Sequence, residues 1–516
     1  MSKIAVLSAE EAVRLVKDDD TVASSGFVGS AIPEGLIHAL EARFLETGRP
    51  TGITYFYCGS QGNRDGKGGD HVAHKAMTKR VIAGHYNTAP KLGAAILNNE
   101  IEGYNLPQGT LSQLVRDIAA HKPGTITHIG LGTFVDPRLG GGKLNDITTE
   151  DLVEVIDILG EEKLIYKAFP IHVAFLRGSY ADESGNVTMH REIAEGEVTA
   201  LAQAVKNSGG IVIVQVEKIV KAGTLDPRLV KIPRIYVDCL VVAKPENHEQ
   251  SYGHEYDPSI AGEINIPVTT ILPPPLSPKK VIGRRAALEL QGDGLVVNLG
   301  IGIPEFVAAV ANEEGIGERM TLTVEAGPIG GVPAGGAQFG GSVNPECILA
   351  HHEQFDFYDG GGIDMAFLGL AEADAGGNVN VSRFGDRLAG CGGFINITQN
   401  AKKVFFCGTF TAGGLDERIA DGRLRIVAEG RDKKFMKTVQ QISFSGAYAV
   451  KTGQPVTYIT ERAVFELRPD GMYLTEIAPG IDIPRDILGQ MDFTPKMDGE
   501  PRLMDARIFR DQRMGL

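Results

Sequence analysis

Leu295-Val296-Val297-Asn298-Leu299-Gly300-Ile301-Gly302-Ile303-Pro304-Glu305 reads as a strand, a glycine turn and a helix entered through a proline. The apolar, β-branched run bounded by glycine makes the strand. Proline suits the first helical position, where its φ is preset and a missing N–H costs nothing. The same order stands earlier in the chain, in Thr21-Val22-Ala23-Ser24-Ser25-Gly26-Phe27-Val28-Gly29-Ser30-Ala31-Ile32-Pro33-Glu34. There the helix is expected to begin at Pro33, with Leu36, Ile37, Leu40 and Phe44 at helical spacing. Ile32-Pro33-Glu34 and Ile303-Pro304-Glu305 lie 271 residues apart. A second pair, Asp182-Glu183-Ser184-Gly185-Asn186-Val187 and Asp374-Ala375-Gly376-Gly377-Asn378-Val379, lies 192 apart and continues ungapped, so that Ile211–Val214 falls on Lys403–Phe406. The change of spacing puts about 79 extra residues into the first half. Two copies are too few for a solenoid, and the expected fold is two homologous open α/β domains fused in one chain.

The boundary between them is read at Ile271-Leu272-Pro273-Pro274-Pro275-Leu276-Ser277-Pro278, since consecutive prolines form a stiff extended spacer. The first domain is then 1–270, the linker 271–278 and the second domain 279–516. A chain of 516 residues exceeds what one core usually supports. Its 65 glycines are nearly double the usual share of about 7% and lack any collagen-like period, which suggests many sharp turns or close backbone approaches to a ligand. A net charge of −14 disfavours a nucleic-acid partner. Without a signal-like start or an apolar run near 20 residues, a membrane role is not expected, and the expected compartment is the cytoplasm. Five scattered cysteines without CxxC spacing read as reduced thiols, most of them in the core.

Thr321-Leu322-Thr323-Val324-Glu325-Ala326-Gly327-Pro328 ends a buried strand on a carboxylate followed by glycine and proline. A helix cap would have a short side chain followed by helix formers, so Glu325 reads instead as a nucleophile or general base. Metal chemistry finds little support: His351-His352, read as strand residues, point to opposite faces, and His71-x-x-His74 lacks a third ligand. No GxSxG elbow is present. Cys391 and Cys58 stay open as nucleophiles, although no base lies near either in sequence. The Gly300-Ile301-Gly302 turn departs from a dinucleotide fingerprint at its third glycine, yet its N–H groups suit a phosphate or an amide-rich ligand such as pantetheine.

Val324-Glu325-Ala326-Gly327, Asn298-Leu299-Gly300-Ile301-Gly302-Ile303-Pro304 and Gly390-Cys391-Gly392-Gly393-Phe394 together resemble the family I coenzyme A transferases. The likeness runs nearly end to end and falls nearest to the propionate (acetate) CoA-transferases, whose halves are fused. Many relatives carry Ser-Glu-Asn-Gly where this chain has Val-Glu-Ala-Gly. The resemblance implies an enzyme that moves CoA between short-chain acyl-CoAs and free acids such as acetate, propionate or lactate, by a ping-pong route through a glutamyl-CoA thioester on Glu325. It implies an oxyanion donor at Gly392 or Gly393, Gln108 as the amide orienting a carboxylate, and CoA contacts at Asn298, Gly300 and Gly302. By the same resemblance CoA is a substrate, no cofactor is permanently held, and the protein is a homo-oligomer, with a tetramer the expected form. An acyl-CoA hydrolase on the same scaffold and a non-catalytic small-molecule binder are the alternatives.

Overall fold

A computed structural model describes residues 3–267 and 273–516. The expected end of the first domain at Thr270, and Ile271 and Leu272 of the linker, lie outside the described residues. By packing the chain forms two compact units. One takes the residues up to Ile266 together with Val324–Asp356 and Phe384–Asn396; the other takes the described part of Pro267–Thr323, with Phe357–Arg383 and Ile397–Leu516.

In the first unit eight parallel strands form the main path of a ten-stranded sheet. They are β1 (Ala5–Leu7), β2 (Thr21–Ser24), β3 (Ile53–Tyr57), β4 (Thr78–Ala83), β5 (Glu102–Asn105), β6 (Val173–Asp182), β7 (Ile211–Val220) and β8 (Cys239–Val242). Their order is β1-β8-β7-β6-β2-β3-β4-β5. Helices α1 (Glu34–Thr47), α2 (Gln108–Ala119) and α3 (Val198–Asn207) follow β2, β5 and β6. Strands covered on both faces read as unbroken apolar runs, as Ile211-Val212-Ile213-Val214 does. Val22, Leu36, Tyr55, Val81, Phe175 and Ile213 meet in the core. The strand order reverses at β2, which has β3 on one side and β6 on the other. In open parallel sheets such a point leaves a crevice beyond the carboxyl ends of the strands.

The second unit repeats this plan. Its elements are α4 (Pro278–Ala287), β9 (Leu295–Leu299), α5 (Glu305–Glu314), β10 (Met320–Thr323), β11 (Met365–Gly369), β12 (Lys403–Cys407), β13 (Val456–Ile459), β14 (Ala463–Arg468) and β15 (Gly471–Ile477). β10, β9, β11, β12 and β13 run parallel, and β14 and β15 extend the sheet antiparallel. Val297, Val307, Phe367, Phe405 and Ile459 make its core, with Phe367 and Phe405 stacked at 4.7 Å.

The duplication holds at the level of register and hydrogen bonds. Ile211 pairs with Val173 in β6, and Lys403 pairs with Met365 in β11, each pair displaced by the same 192 residues. Asp182 takes the N–H groups of Ser184 and Asn186 on one carboxylate oxygen and the Asn186 amide on the other, at 2.9, 3.0 and 3.0 Å. Asp374 does the same with Gly376, Asn378 and the Asn378 amide, at 3.0, 3.1 and 3.0 Å. Both proline-entered helices start one residue later than expected, at Glu34 and Glu305, with Pro33 and Pro304 as caps. Both end on a left-handed glycine, Gly48 or Gly315, where a side chain would be strained.

Candidate functional site

Four strand ends of the first unit converge on Glu325. The strand before it stops at Thr323, two residues earlier than a direct strand-end carboxylate requires, so Glu325 projects from a turn. That turn is closed by Gly327 donating to the Val324 carbonyl at 3.0 Å and by Val324 donating to that of Pro328 at 2.9 Å. Gly327 has φ +128°, and a Cβ there would run into the Leu349 carbonyl, so the turn requires glycine.

Beyond β2, Phe27 sits in a loop where Val28 and Ala31 hold φ of +57° and +54°. A β-branched residue in the left-handed region is strained, and such strain persists only where the surroundings impose it. Beyond β3 comes Gly59, where a Cβ would press on Phe27 at 2.8 Å. Beyond β5 comes Gln108, the first residue of α2 and only 1% exposed.

The glycine-rich segment Ala389–Gly393 lies across the ends of β4 and β5 and is fastened at each step. Tyr86 donates to the Ala389 carbonyl at 2.7 Å, Cys391 to Asn105 Oδ1 at 2.9 Å and Gly392 to the Gly84 carbonyl at 2.8 Å, while Gln108 N–H donates to the Gly392 carbonyl at 3.0 Å. These bonds separate the two glycines named as oxyanion donors. The N–H of Gly392 is already engaged, whereas the N–H of Gly393 is directed at the Glu325 carboxylate. A Cβ on Gly393 would overlap Glu325 Oε2 and come within 2.9 Å of Phe355.

Glu325 is half-buried as a residue, but its carboxylate is crowded by surrounding heavy atoms. Burial raises its pKa from 4.5 to about 7, opposed by hydrogen bonds from the Gln108 amide and the Gly393 N–H. The nucleophilic form is the carboxylate, and its population grows as pH rises through about 7. Accordingly, kcat/KM for acyl-CoA is expected to rise between pH 5.5 and 7.5 and then level off. A profile flat down to pH 5.5 would mean that the carboxylate is not perturbed.

His351 carries more than its sequence context suggested. It opens the helix His351–Asp359, which corrects the strand reading of His351-His352, and it is 2% exposed. Its Nδ1 lies 2.9 Å from Glu197 Oε2 and its Nε2 lies 2.8 Å from Gln108 Nε2. Phe27 meets the ring edge-on at 5.9 Å, and Phe355 lies 5.3 Å away. Phe27, Ala194 and Ala326 form a small apolar cluster that Val28 and Phe339 complete. Neither His351, Glu197, Phe27 nor Phe355 carries a local sequence signal.

The thiols open as nucleophiles are held in the unreactive form. Burial pushes both Cys391 and Cys58 well above the ordinary thiol range, and a nearby carboxylate, Glu325 or Glu197, adds to the effect. His71 bridges Glu34 at 2.8 Å and Glu41 at 2.5 Å, and this carboxylate pair raises its pKa to about 9 against the opposing effect of burial. A protonated imidazole of that kind is a clamp. Among the described residues no group of three or more His, Cys, Asp or Glu is placed to hold a metal, and no helix is long and apolar enough to cross a membrane.

The residues expected to touch CoA belong to the second unit. The Asn298 amide nitrogen donates within that unit, to the Thr323 carbonyl at 3.2 Å and to the Tyr358 hydroxyl at 3.4 Å. Gly300 donates to the Phe367 carbonyl at 2.8 Å. Gly302, at φ +87° with open space where a Cβ would stand, and Ile301, 59% exposed, form the accessible part of that turn.

The chain is similar to known proteins along nearly its whole length. The coenzyme A transferase family model matches residues 6–243. Over 515 residues, 99% of this chain and 98% of the relative, the sequence is 47% identical to a caffeate CoA-transferase of Acetobacterium woodii. Over 515 residues it is 44% identical to the acetate CoA-transferase YdiF of Escherichia coli K12, covering 99% and 96%. The crystal structure of the acyl-CoA transferase YdiF of Escherichia coli O157:H7, a thioester complex with CoA, matches with a TM-score of 0.94 at 43% identity, covering 100% of this chain and 98% of that one.

Proposed function

We propose, for a chain that belongs to the coenzyme A transferase family, that Glu325 is the nucleophile exchanging CoA between short-chain acyl-CoAs and free carboxylic acids. The protein is a CoA-transferase with CoA as its substrate. The observation that carries the role of Glu325 is its crowded carboxylate with the Gln108 amide and the Gly393 N–H aimed at it.

In the first step the Glu325 carboxylate attacks the thioester carbonyl, the carbon–sulfur bond breaks, and an acyl-glutamyl anhydride and CoA thiolate result. The thiolate then attacks the glutamyl carbonyl, releasing the free acid and leaving a glutamyl-CoA thioester. A second acid reverses both steps. A carboxylate is suited to this work because it resembles the substrate acid, so each exchange is nearly thermoneutral. Each tetrahedral intermediate carries an oxyanion, for which the Gly393 N–H is the proposed donor. The similar YdiF enzyme was crystallised as a thioester complex with CoA, which supports an adduct of this kind.

Acetate, propionate and lactate are the proposed acids. The relatives named above act on a two-carbon acid and on an aromatic one. One methylene in a pocket is worth only about 1–3 kcal/mol, so caffeate belongs in the acceptor panel. A hydrolase would need a base to activate water beside Glu325.

The deciding experiment follows propionyl-CoA with and without acetate by mass spectrometry. Acetyl-CoA formed only with acetate, together with a CoA adduct on the peptide containing Glu325, is the expected result. Free CoA accumulating without an acceptor would favour the hydrolase, and no turnover with any acid would favour a binding protein. Gln108→Ala is expected to lower kcat by about 10–100-fold while the adduct still forms. Unchanged turnover would leave Gln108 only a structural role at the start of α2.

A further inference from the structure

We propose that Glu197 and His351 form a positioning pair that sets which end of the Gln108 amide faces Glu325. The proposal rests on Glu325 being the nucleophile.

Glu197 caps α3, and its side chain, like that of His351, is 2% exposed. A carboxylate only accepts hydrogen bonds, so the 2.9 Å contact puts a proton on His351 Nδ1. In the neutral ring this leaves Nε2 as an acceptor. Gln108 Nε2 stands 2.8 Å from it and donates. The remaining hydrogen of the amide then points to the Glu325 carboxylate, which also only accepts. Every partner in the chain Glu197–His351–Gln108–Glu325 therefore fixes the next.

Were the ring proton on Nε2, two donors would face each other. The amide would turn over to offer Oε1 to the ring, and Glu325 would meet an oxygen in place of a donor. The neutral Nε2–H tautomer is the one a free histidine side chain prefers, so a buried acceptor at Nδ1 is what reverses that preference. Phe27 and Phe355 pack the ring in place, and the Cys58 thiol donates to Glu197. The charged groups facing the ring are Glu197 and Glu325. No proton leaves the pair during turnover; its work is orientation, and its loss should appear in kcat and spare acyl-CoA binding.

The test combines kinetics with 15N NMR on histidine-labelled protein, with His351→Asn used to assign the signal. In the wild type a protonated Nδ1 and an unprotonated Nε2 are expected; an Nε2–H ring would overturn the proposal. Glu197→Leu removes the acceptor and is expected to lower kcat about 30-fold with KM for propionyl-CoA unchanged, while Glu197→Gln, which can still accept through its carbonyl, loses less. In the Gln108→Ala background Glu197→Leu should cost under about 3-fold more, because its effect passes through the amide. Multiplying losses, or wild-type kcat in Glu197→Leu, would overturn the pair. If Glu197→Leu does not fold, the NMR result on the wild type decides. A wild type that forms the Glu325 adduct while Glu197→Leu behaves normally refutes only this pair; a wild type with no adduct refutes the assignment of Glu325.

Discussion

Glu325→Gln is expected to abolish CoA exchange, by roughly 10⁴-fold or more, and at the same time to make the protein more stable above neutral pH. The first effect follows from removing the proposed nucleophile while keeping its shape. The second follows from the raised pKa. In the unfolded chain the carboxyl ionises near 4.5, whereas in the fold it does so near 7. Below pH 4.5 both states hold the proton and the carboxyl makes no difference to stability. Between 4.5 and 7 the unfolded chain releases its proton first, so the fold is progressively disfavoured, and above 7 the penalty is constant. With allowance for the accessible edge of the residue, this penalty is about 2 kcal/mol. A neutral amide does not incur it. The expected result is a Tm gain of about 2–4 °C at pH 8 that vanishes at pH 4, read by calorimetry alongside exchange rates. Exchange at the wild-type rate would refute the assignment of Glu325, and an equal Tm gain at both pH values would show that its charge is not the cause.

Gly393→Ala is expected to lower kcat by 100-fold or more, while Gly392→Ala, one residue away, stays within about 10-fold of the wild type. A Cβ at 393 would overlap Glu325 Oε2. That atom ends a flexible side chain and moves aside, which displaces the proposed nucleophile, while the 2.9 Å approach to the buried Phe355 ring costs some stability as well. At 392 the new Cβ would find Gln108 Oε1 at 3.7 Å and His85 Cδ2 at 3.8 Å, which are ordinary contacts. Its φ of +52° is unfavourable to alanine by about 1–2 kcal/mol, so this variant should lose stability more than rate. Unfolding midpoints and kcat measured on both variants give the comparison. Equal kinetic losses would mean that the two glycines act together, and a fully active Gly393→Ala would remove Gly393 from the site.

Legibility in the sequence tracked how local the physical cause was. Apolar runs ended by glycine, and proline at a helix entrance, act within a few residues, so the paired strand-turn-helix units and the Asp182 and Asp374 turns could be read directly. The one-residue error at Pro33 and Pro304 came from reading proline as the first helical residue where it serves as the cap. Glu325 stood out because a carboxylate at the end of a buried strand is costly unless used. Asn298, named as a CoA contact by resemblance, has its amide nitrogen engaged by Thr323 and Tyr358.

By itself the sequence determined that this is a duplicated α/β protein, and it singled out Glu325 as a candidate reagent, with Gln108 and the Gly392-Gly393 turn added by the family resemblance. Only the tertiary structure decided which glycine N–H is free to face Glu325, because that depends on Gly392 being bonded to Gly84 across the chain. It alone brought in His351, which stands 243 residues from Gln108, and Glu197, which stands 154 residues from His351. A hydrogen bond between two buried side chains has no period and no composition, and it exists only when the backbone has already delivered both partners to within about 3 Å.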